Sequence, residues 1–571
     1  MTSAIADSSG SARMQQNWVI DPLSDGLFII AAPLIALAWA VAVASWFGAE
    51  IVLVLFGAFN VGHHLPTFIR IYGDKDLLQR FRWSLLLGPV LPFSLAMCVV
   101  SYVVFSGYEM SNVLYLMLFL IIWDPWHFLR QHFGFMRIYD RNNQVRRKVS
   151  SNMDFMICCT WFVYIMVAAL DWLPDLLYDT YRLHGFPILF LFDNGVYDVV
   201  QLLSCIAALA GTVAYLGYLA WCRANGYFVS PAKVMLLVCT FGVMYLTYVP
   251  NPLITGLFPE WNFVLGFAVI GVMHVTQYLA ITWKYNRGLS GRKGAARPGI
   301  FQELFSRGGW NVGCTFVIVC LMYGIFLGFP PPKLFSLQSV SDSVHMAGRL
   351  FLGVIFALGF TSALMHYYYD GFIWKVRHKE NQQYLGMVPT ESKVGMVPTE
   401  SKARAQSWWE GISRSTARGV FFRQCLYFAL PILLLSATFW ILKDDSIRSA
   451  PIGHVVAASS PAEAGVAILA MEDRLEVESA MIRIRPRSKH YTYQADLLYM
   501  IGSTRLSVAE QSGTTSDLLR AERRRLLAEA IVSLERALEL GPPYGHVEDP
   551  EMSRKDVEAR LLEWPLEFQE I

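Results

Sequence analysis

Charged residues are scarce in this chain. Only 16% of its 571 residues are Asp, Glu, Lys or Arg, whereas 54% are hydrophobic. A typical soluble domain carries about 25% charged residues, so the composition excludes a disordered chain and a soluble globular fold of this size. The net charge of +2 provides no long-range field for a polyanion, and we expect no nucleic-acid partner. The composition predicts an all-α, polytopic membrane protein.

Other features are missing as well. No cysteine follows Cys425, and the nine cysteines of the chain lie in or beside apolar runs, so no disulfide framework is expected. Glycine-rich phosphate loops and the GxSxG turn do not occur in a strand–helix context, so the sequence gives no support for a P-loop ATPase, a Rossmann dehydrogenase or an α/β-hydrolase. The N-terminal residues lack the apolar core of a cleaved signal peptide, and we expect residues 1–26 to form a cytoplasmic segment.

The chain does contain many apolar runs of about 20 residues, the length that spans a bilayer as a helix. We count eleven of them, and they predict a transmembrane helical domain over residues 27–442. The runs are Leu27–Phe47, Ile51–Arg70, Trp83–Phe105, Val113–Phe135, Met153–Leu173, Val196–Cys222, Lys233–Val249, Asn262–Trp283, Val312–Phe329, Met346–Trp374 and Val420–Leu442.

Lysine and arginine cluster in every second connection between these runs. Five basic residues lie between Lys284 and Arg297, whereas the connection over residues 250–261 contains none. The positive-inside rule places basic connections in the cytoplasm. We therefore expect a plasma-membrane or inner-membrane protein with a cytoplasmic N-terminus and residues 443–571 on the opposite side.

Residues 443–571 are charged and show helical periodicity. One helical face is apolar at four positions, which are Leu526, Ala530, Leu534 and Leu538. The stretch 528–544, AEAIVSLERALELGPPY, resembles the second helix of a tetratricopeptide repeat, and Tyr493–Ala509 would be its first helix. The resemblance implies a small helical domain outside the membrane that binds a protein partner.

Six histidines lie inside the predicted helices, where ionisable groups are costly and are often functional. They are His63, His64, His127, His132, His274 and His366. Counted from the basic residues that mark the cytoplasmic helix ends, they lie about 8 to 15 Å inside the membrane, because a helix rises about 1.5 Å per residue. Their four helices run in the same direction, so all six histidines share one layer, and we expect a common centre. His63 and His64 point about 100° apart on a helix, so only one of them should face it.

Other polar residues lie at helical spacing from these histidines. Asp124 precedes His127 by three residues, and Asp370 follows His366 by four, which puts each pair on one helix face. We expect the two carboxylates to bind a metal or to orient an imidazole, and to act in catalysis. The basic residues at the cytoplasmic mouth are expected to hold a lipid headgroup or a substrate carboxylate, and they are Arg70, Arg137 and Lys284.

The histidine layer has several interpretations. Imidazole and carboxylate ligands with open positions suit one or two non-haem iron ions. Bis-histidine ligation of haem is an alternative, and so is a proton- or metal-coupled transporter that uses buried His and Asp. Single histidines such as His132 can also hydrogen-bond lipid headgroups at the interface. A membrane scaffold whose C-terminal domain binds partners is a further alternative.

The layout of these six histidines resembles that of the integral-membrane non-haem iron enzymes. This group includes desaturases, hydroxylases, alkane monooxygenases and the bacterial membrane carotene dioxygenases. The HxxxH and HxxHH boxes of the desaturases and hydroxylases are absent, so no ligand is assigned by motif. The resemblance implies a membrane metal-dependent oxidoreductase that uses iron to oxidise a lipophilic substrate.

Overall fold

The computed structural model describes residues 16–73, 78–79, 81–108, 110–170, 172–184, 195–259, 261–290, 310–328, 346–373, 417–443, 461–542, 544–545 and 552–570. Every regular element within these residues is helical, which confirms the all-α class. The chain divides into two compact units. The first comprises Met1–Met166 and Ser204–Ala437, and the second comprises Val167–Leu203 and Thr438–Ile571.

The helices are numbered here in chain order. The helices up to the last apolar run are α1 Pro22–Asp25, α2 Ala32–Phe47, α3 Ala49–Gly62, α4 His64–Gly73, α5 Arg82–Leu87, α6 Val90–Phe105, α7 Met117–Tyr139, α8 Arg147–Ala168, α9 Leu173–His184, α10 Val196–Ala224, α11 Pro231–Tyr248, α12 Pro252–Leu257, α13 Phe263–Ser290, α14 Trp310–Gly328, α15 Met346–Ile373, α16 Ala417–Gln424 and α17 Leu430–Leu442. The helices that follow are α18 Pro461–Ile484, α19 Ser488–Gln511, α20 Asp517–Leu540 and α21 Arg554–Glu570. Short 3₁₀ or π turns occupy Gly26–Ile30, Met110–Leu116, Asp140–Asn142 and Cys425–Ala429.

Nine helical stretches in the described residues are long and apolar enough to cross a membrane. The bent pair Pro22–Ile30 and Ala32–Phe47 would be a tenth, and Val312–Leu327 is apolar but shorter than these. The chain is thus a multi-pass membrane protein, as predicted. The number of spans, eleven in our prediction, stays a prediction.

The first apolar run is bent, whereas we predicted one continuous helix. Pro22–Ile30 and Ala32–Phe47 meet at an angle of 51°. Pro33 has no N–H, so it cannot donate to the carbonyl of Ile29 four residues earlier. Nε2 of Gln277 on α13 donates to that carbonyl over 2.8 Å. The bend is therefore tied to the helix that carries His274.

Small residues allow α3 and α14 to pack closely beside His63. A Cβ atom on Gly62 would lie only 2.5 Å from the carbonyl oxygen of Cys320. A Cβ atom on Gly324 would clash with the carbonyl of Ala58 and lie 2.8 Å from the nitrogen of Gly62. Close backbone contacts of this kind are typical of helix interfaces in membranes, where packing drives association.

We expect Gly324→Ala to lower the thermal unfolding midpoint of the purified protein in detergent, because overpacking of a tight contact costs about 1–3 kcal/mol. The matched control is Gly57→Ala on α3, where an added Cβ would meet nothing within 4 Å. The control should unfold at the wild-type midpoint or above it, since alanine is favoured over glycine inside a helix. Equal midpoints for the two variants would contradict the packing account.

The second unit has a hydrophobic core between α19, α20 and α21. Leu497, Ala530 and Leu534 are fully buried in it, and Leu538 packs against it. The apolar face predicted from the sequence therefore faces the core. Helix α19 contains the expected first helix, whereas α20 begins earlier than the expected second helix and ends at Leu540 instead of Tyr544. The likeness to a tetratricopeptide repeat stays a prediction.

The second unit also buries a histidine. Nδ1 of His490 lies 2.8 Å from Oε2 of Glu478, and the Tyr178 hydroxyl donates to Oε1 of the same carboxylate. Burial lowers the pKa of His490, and the neighbouring Glu478 opposes this effect only in part. His490 is therefore neutral in the folded unit near pH 7.

This histidine predicts a pH dependence of local stability. An unfolded histidine titrates near pH 6.5, so below that pH the unfolded state takes up a proton that folded His490 resists, and stability falls as the pH falls. We expect hydrogen exchange of α18 and α19 amides, corrected for the intrinsic rate, to show less protection at about pH 5.5 than at pH 7.5. His490→Gln should flatten this dependence. Wild-type protection that is equal at both pH values would contradict the assignment.

Candidate metal centre

Four helices bring four of the six predicted histidines together in the first unit. His63 lies at the break between α3 and α4, His127 on α7, His274 on α13 and His366 on α15. One ring nitrogen from each lies within 4.8 Å of the others. The group is buried or nearly so within the protein. A cluster capable of binding a metal is therefore present, and it contains four of the six predicted histidines.

The break between α3 and α4 separates the two neighbouring histidines. Pro66 lacks an N–H and cannot bond to the carbonyl of Gly62, where α3 ends. The His63 ring faces His366 and His274, whereas the His64 ring stacks on His366 at a centroid distance of 4.8 Å. His64 thus lies beside the four-histidine group. This agrees with the expectation that only one of the pair faces the centre.

The nitrogen–nitrogen distances fit metal coordination. Nε2 of His63 lies 3.0 Å from Nε2 of His366 and 3.3 Å from Nε2 of His274. Metal–imidazole bonds of about 2.0–2.1 Å place neighbouring ligand atoms about 3.0–3.4 Å apart. Nε2 of His127 is buried without a hydrogen-bond partner among the described residues. A cation at this position would satisfy that nitrogen.

Hydrogen bonds on the far side of the rings fix where the lone pairs point. Nδ1 of His63 contacts the backbone carbonyl of Asn60. A carbonyl oxygen only accepts, so Nδ1 carries the proton and Nε2 presents a lone pair to His366. When Nδ1 of His366 donates to the Thr67 hydroxyl, 2.9 Å away, its Nε2 presents a second lone pair to the same point. Two lone pairs this close repel each other unless a proton or a metal cation lies between them.

Asp370 lies at the edge of the histidine group. Its Oδ2 is 3.8 Å from Nε2 of His366 and 3.9 Å from Nε2 of His127. Its Oδ1 accepts hydrogen bonds from Thr67 and Tyr278, both over 3.1 Å. The carboxylate is thus held with one oxygen turned towards the imidazoles, where it can act as a further ligand or as a proton acceptor.

Asp124 is buried near the group. It accepts a hydrogen bond from the Tyr367 hydroxyl, and the Tyr367 ring lies 4.9 Å from the ring of His127. Asp124 thus contacts a tyrosine that packs on the histidine group. Its predicted catalytic role stays a prediction.

His132 lies apart from the four histidines. Its ring packs edge-on against Phe241 of α11 at 5.2 Å. Both of its ring nitrogens are buried without a hydrogen-bond partner among the described residues. His132 follows His127 by five residues, and this spacing turns its side chain to a different face of α7. The structure therefore does not bring His132 into the group.

Arg137 belongs to a buried network of charges. Its Nη1 lies 2.9 Å from Asp140 and 2.5 Å from Asp154. Nζ of Lys233 lies 2.6 and 3.0 Å from the same two carboxylates. Two cations and two anions balance, which is the condition for burying charge at an acceptable cost. The network ties α7, α8 and α11 together, and Arg137 is engaged there by protein groups.

The other two predicted substrate-binding residues lie near the end of α4 and in α13. The Arg70 guanidinium stacks over the Tyr285 ring, 3.6 Å from its centroid, and Lys284 is partly exposed. Their predicted contact with a lipid headgroup or a substrate carboxylate stays a prediction.

Two residues that contact His366 or Asp370 were not predicted from the sequence, Thr67 and Tyr278. Tyr278 follows His274 by four residues within α13, so the two share a helix face. Thr67 follows His63 by the same number of residues across the break between α3 and α4. Helical spacing could have identified both. Two glutamines link α7 and α13 beside the group: Nε2 of Gln131 donates to the His274 carbonyl over 3.0 Å and to Oε1 of Gln277 over 3.3 Å.

Comparison with protein-family models, with curated proteins and with solved structures gave no match for this chain.

Replacing a member of the group should release metal from the purified protein. We expect His127→Ala and His274→Ala to weaken metal binding by more than the 10- to 100-fold that is typical of losing an outer-shell partner. The matched control is His132→Ala, which removes a buried imidazole of α7 that lies apart from the group. Elemental analysis after gel filtration measures bound metal per chain. Full metal content in the first two variants, or equal loss in all three, would contradict the assignment.

Proposed function

We propose that this chain is a membrane-embedded, metal-dependent oxidoreductase of the oxygenase, hydroxylase or desaturase type, acting on a lipophilic substrate. The observation that supports it best is the convergence of four imidazole nitrogens within 4.8 Å, on helices of membrane-spanning length. An ionisable cluster inside membrane helices is expensive to bury and is by default functional.

The donor set favours non-haem iron. His63, His127, His274 and His366 would hold the metal, and Asp370 would supply a carboxylate oxygen next to it. Neutral imidazoles with a carboxylate suit Fe(II), which would supply the activation of O2. Bis-histidine haem is disfavoured, because ring nitrogens 3.0 and 3.3 Å apart leave no space for a macrocycle between them.

The surroundings of the group favour an apolar substrate. The Phe128 ring packs on the His274 ring at 4.6 Å, and Trp123 and Trp126 lie partly exposed on the same helix. A molecule that reaches the imidazoles from the bilayer would meet aromatic surface on the way. In this proposal, Arg70 and Lys284 bind the polar end of the substrate near the cytoplasmic face.

The proposal includes an orientation in the membrane. The N-terminus lies in the cytoplasm, and the C-terminal helical domain lies on the other side of the plasma or inner membrane, where it binds a protein partner.

The electron balance of such a reaction defines what must be supplied. O2 is the oxidant and accepts four electrons in total. The substrate gives up two of them: in hydroxylation one C–H bond becomes C–OH, and in desaturation two C–H bonds are lost as a C=C bond forms. An external reductant supplies the other two electrons, two protons are taken up, and the remaining oxygen leaves as water. Asp370, with its donors Thr67 and Tyr278, can hold a proton beside the four imidazoles.

The test uses the full-length protein in lipid nanodiscs, loaded anaerobically with Fe(II). It is incubated with a total lipid extract of the expressing cells, a reductant and O2, and the products are followed by mass spectrometry. We expect lipids that gain oxygen or lose two hydrogens only when both iron and O2 are present. His274→Ala and Zn2+-loaded wild-type protein should give no product. Metal-loaded protein that moves Fe(II) or protons across liposomes, and oxidises nothing, would contradict this proposal and favour a transporter.

A further inference from the structure

The hydroxyl of Thr67 lies in hydrogen-bonding distance of several polar groups around the four histidines. Thr67 lies on α4, one turn after the break at His63, and is fully buried. Its single hydroxyl contacts three polar groups. It lies 2.9 Å from Nδ1 of His366 and 3.1 Å from Oδ1 of Asp370, and it also contacts the hydroxyl of Tyr278.

The protons available for the hydrogen bonds of Thr67 can be counted. A threonine hydroxyl has one proton to donate and two lone pairs to accept with. The Asp370 carboxylate only accepts, so the hydroxyl donates there most favourably, since charge-assisted hydrogen bonds are the stronger ones. Thr67 then has its lone pairs left for Nδ1–H of His366 and for the Tyr278 hydroxyl. The three contacts of Thr67 then each have one proton. The single proton of the Tyr278 hydroxyl goes either to Thr67 or to Oδ1 of Asp370, so the two contacts of Tyr278 share it.

We propose that Thr67 is a positioning residue that prepares the site for metal. Because the Thr67 hydroxyl accepts from Nδ1–H of His366, Nε2 of His366 stays unprotonated and directs its lone pair at Nε2 of His63. By donating to Oδ1 of Asp370, the same hydroxyl keeps Oδ2 turned towards His366 and His127. This inference rests on the metal centre proposed above and assigns a function to a residue outside the ligand set.

The same hydroxyl also supports a metal-free arrangement. If it rotates and donates to Nδ1 of His366, the imidazole proton moves to Nε2 and bonds to Nε2 of His63 over 3.0 Å. Asp370 then loses the donor from Thr67 and keeps the one from Tyr278. Metal binding and the direction of the Thr67 hydrogen bond are thus coupled, without any change in the net charge of the imidazoles.

The structure offers a matched control for Thr67. The hydroxyl of Ser362 lies 3.0 Å from Nδ1 of His64, which is the same type of contact on a histidine beside the four-histidine group. Removing that hydroxyl tests the loss of a buried hydroxyl–imidazole bond close to the site, whereas removing the Thr67 hydroxyl tests the bond to a ligand.

The experiment titrates metal-free, full-length protein in nanodiscs with Co2+, follows the visible d–d absorption, and then displaces Co2+ with Zn2+. We expect Thr67→Val to weaken Co2+ binding about 10- to 100-fold, as other outer-shell losses do, and to change the d–d spectrum. Thr67→Ser keeps the hydroxyl and should restore the wild-type spectrum. Ser362→Ala should bind like the wild type. Thr67→Ala gives the same test without a branched side chain if the valine variant does not fold.

The outcomes separate the two levels of the proposal. Wild-type protein that binds no Co2+ contradicts the metal centre itself, and with it the role of Thr67. Wild-type binding with equal affinity and spectrum in Thr67→Val or Thr67→Ala overturns the role of Thr67 and leaves the metal centre in place. Equal weakening in Ser362→Ala also overturns it, because the effect would then be general packing.

Discussion

The repulsion between lone pairs in a buried cluster is the constraint on which the account of this protein depends. Nε2 of His63 and Nε2 of His366 are 3.0 Å apart, and the backbone of Asn60 removes one of the two ways to place a proton between them. His274 approaches the same nitrogen at 3.3 Å. A single proton can serve one pair, whereas a metal cation serves three nitrogens at once. The arrangement therefore favours a metal.

Two prolines help to build this site, because each leaves a backbone carbonyl one turn earlier without its helical N–H partner. Pro33 frees the carbonyl of Ile29, and Gln277 of the His274 helix bonds to it. Pro66 weakens the helix at the break where α3 ends before His63 and α4 begins with His64. Irregular backbone at membrane depth is tolerated where protein groups satisfy it. The tight contact of Gly62 with α14 and the balanced charges around Lys233 then hold the neighbouring helices in position.

Part of this organisation is predictable from the sequence. Hydropathy and length predict the helices, and counting residues from the basic helix ends predicts that the histidines share a layer. The 100° rotation per residue predicts that His63 and His64 point differently. The same counting cannot exclude His132 from the group, because it gives only the depth of a side chain along the helix axis. The direction in which the side chain points depends on how α7 is rotated against its neighbours. Only packing shows that this ring faces Phe241.

Contacts between residues that are distant in the sequence are harder to predict. The packing of α8 and α11 against α7 is needed to show that Arg137 and Lys233 share the carboxylate of Asp154. In the sequence, each of these residues is simply a charged residue near a helix end. The bend at Pro33 was missed because the run from Leu27 to Phe47 is apolar throughout. Thr67 and Tyr278 lie one turn from a histidine, a spacing that polar residues also show by chance. Their function depends on contacts across three helices.

The most direct measurement of the central claim is X-ray absorption at the iron edge of the Fe-loaded protein in nanodiscs. We predict a first shell of nitrogen and oxygen alone, with the outer-shell scattering that several imidazoles produce. That scattering should be lost in His274→Ala. A shell that contains sulfur, or one of oxygen without imidazole scattering, would contradict a histidine metal centre.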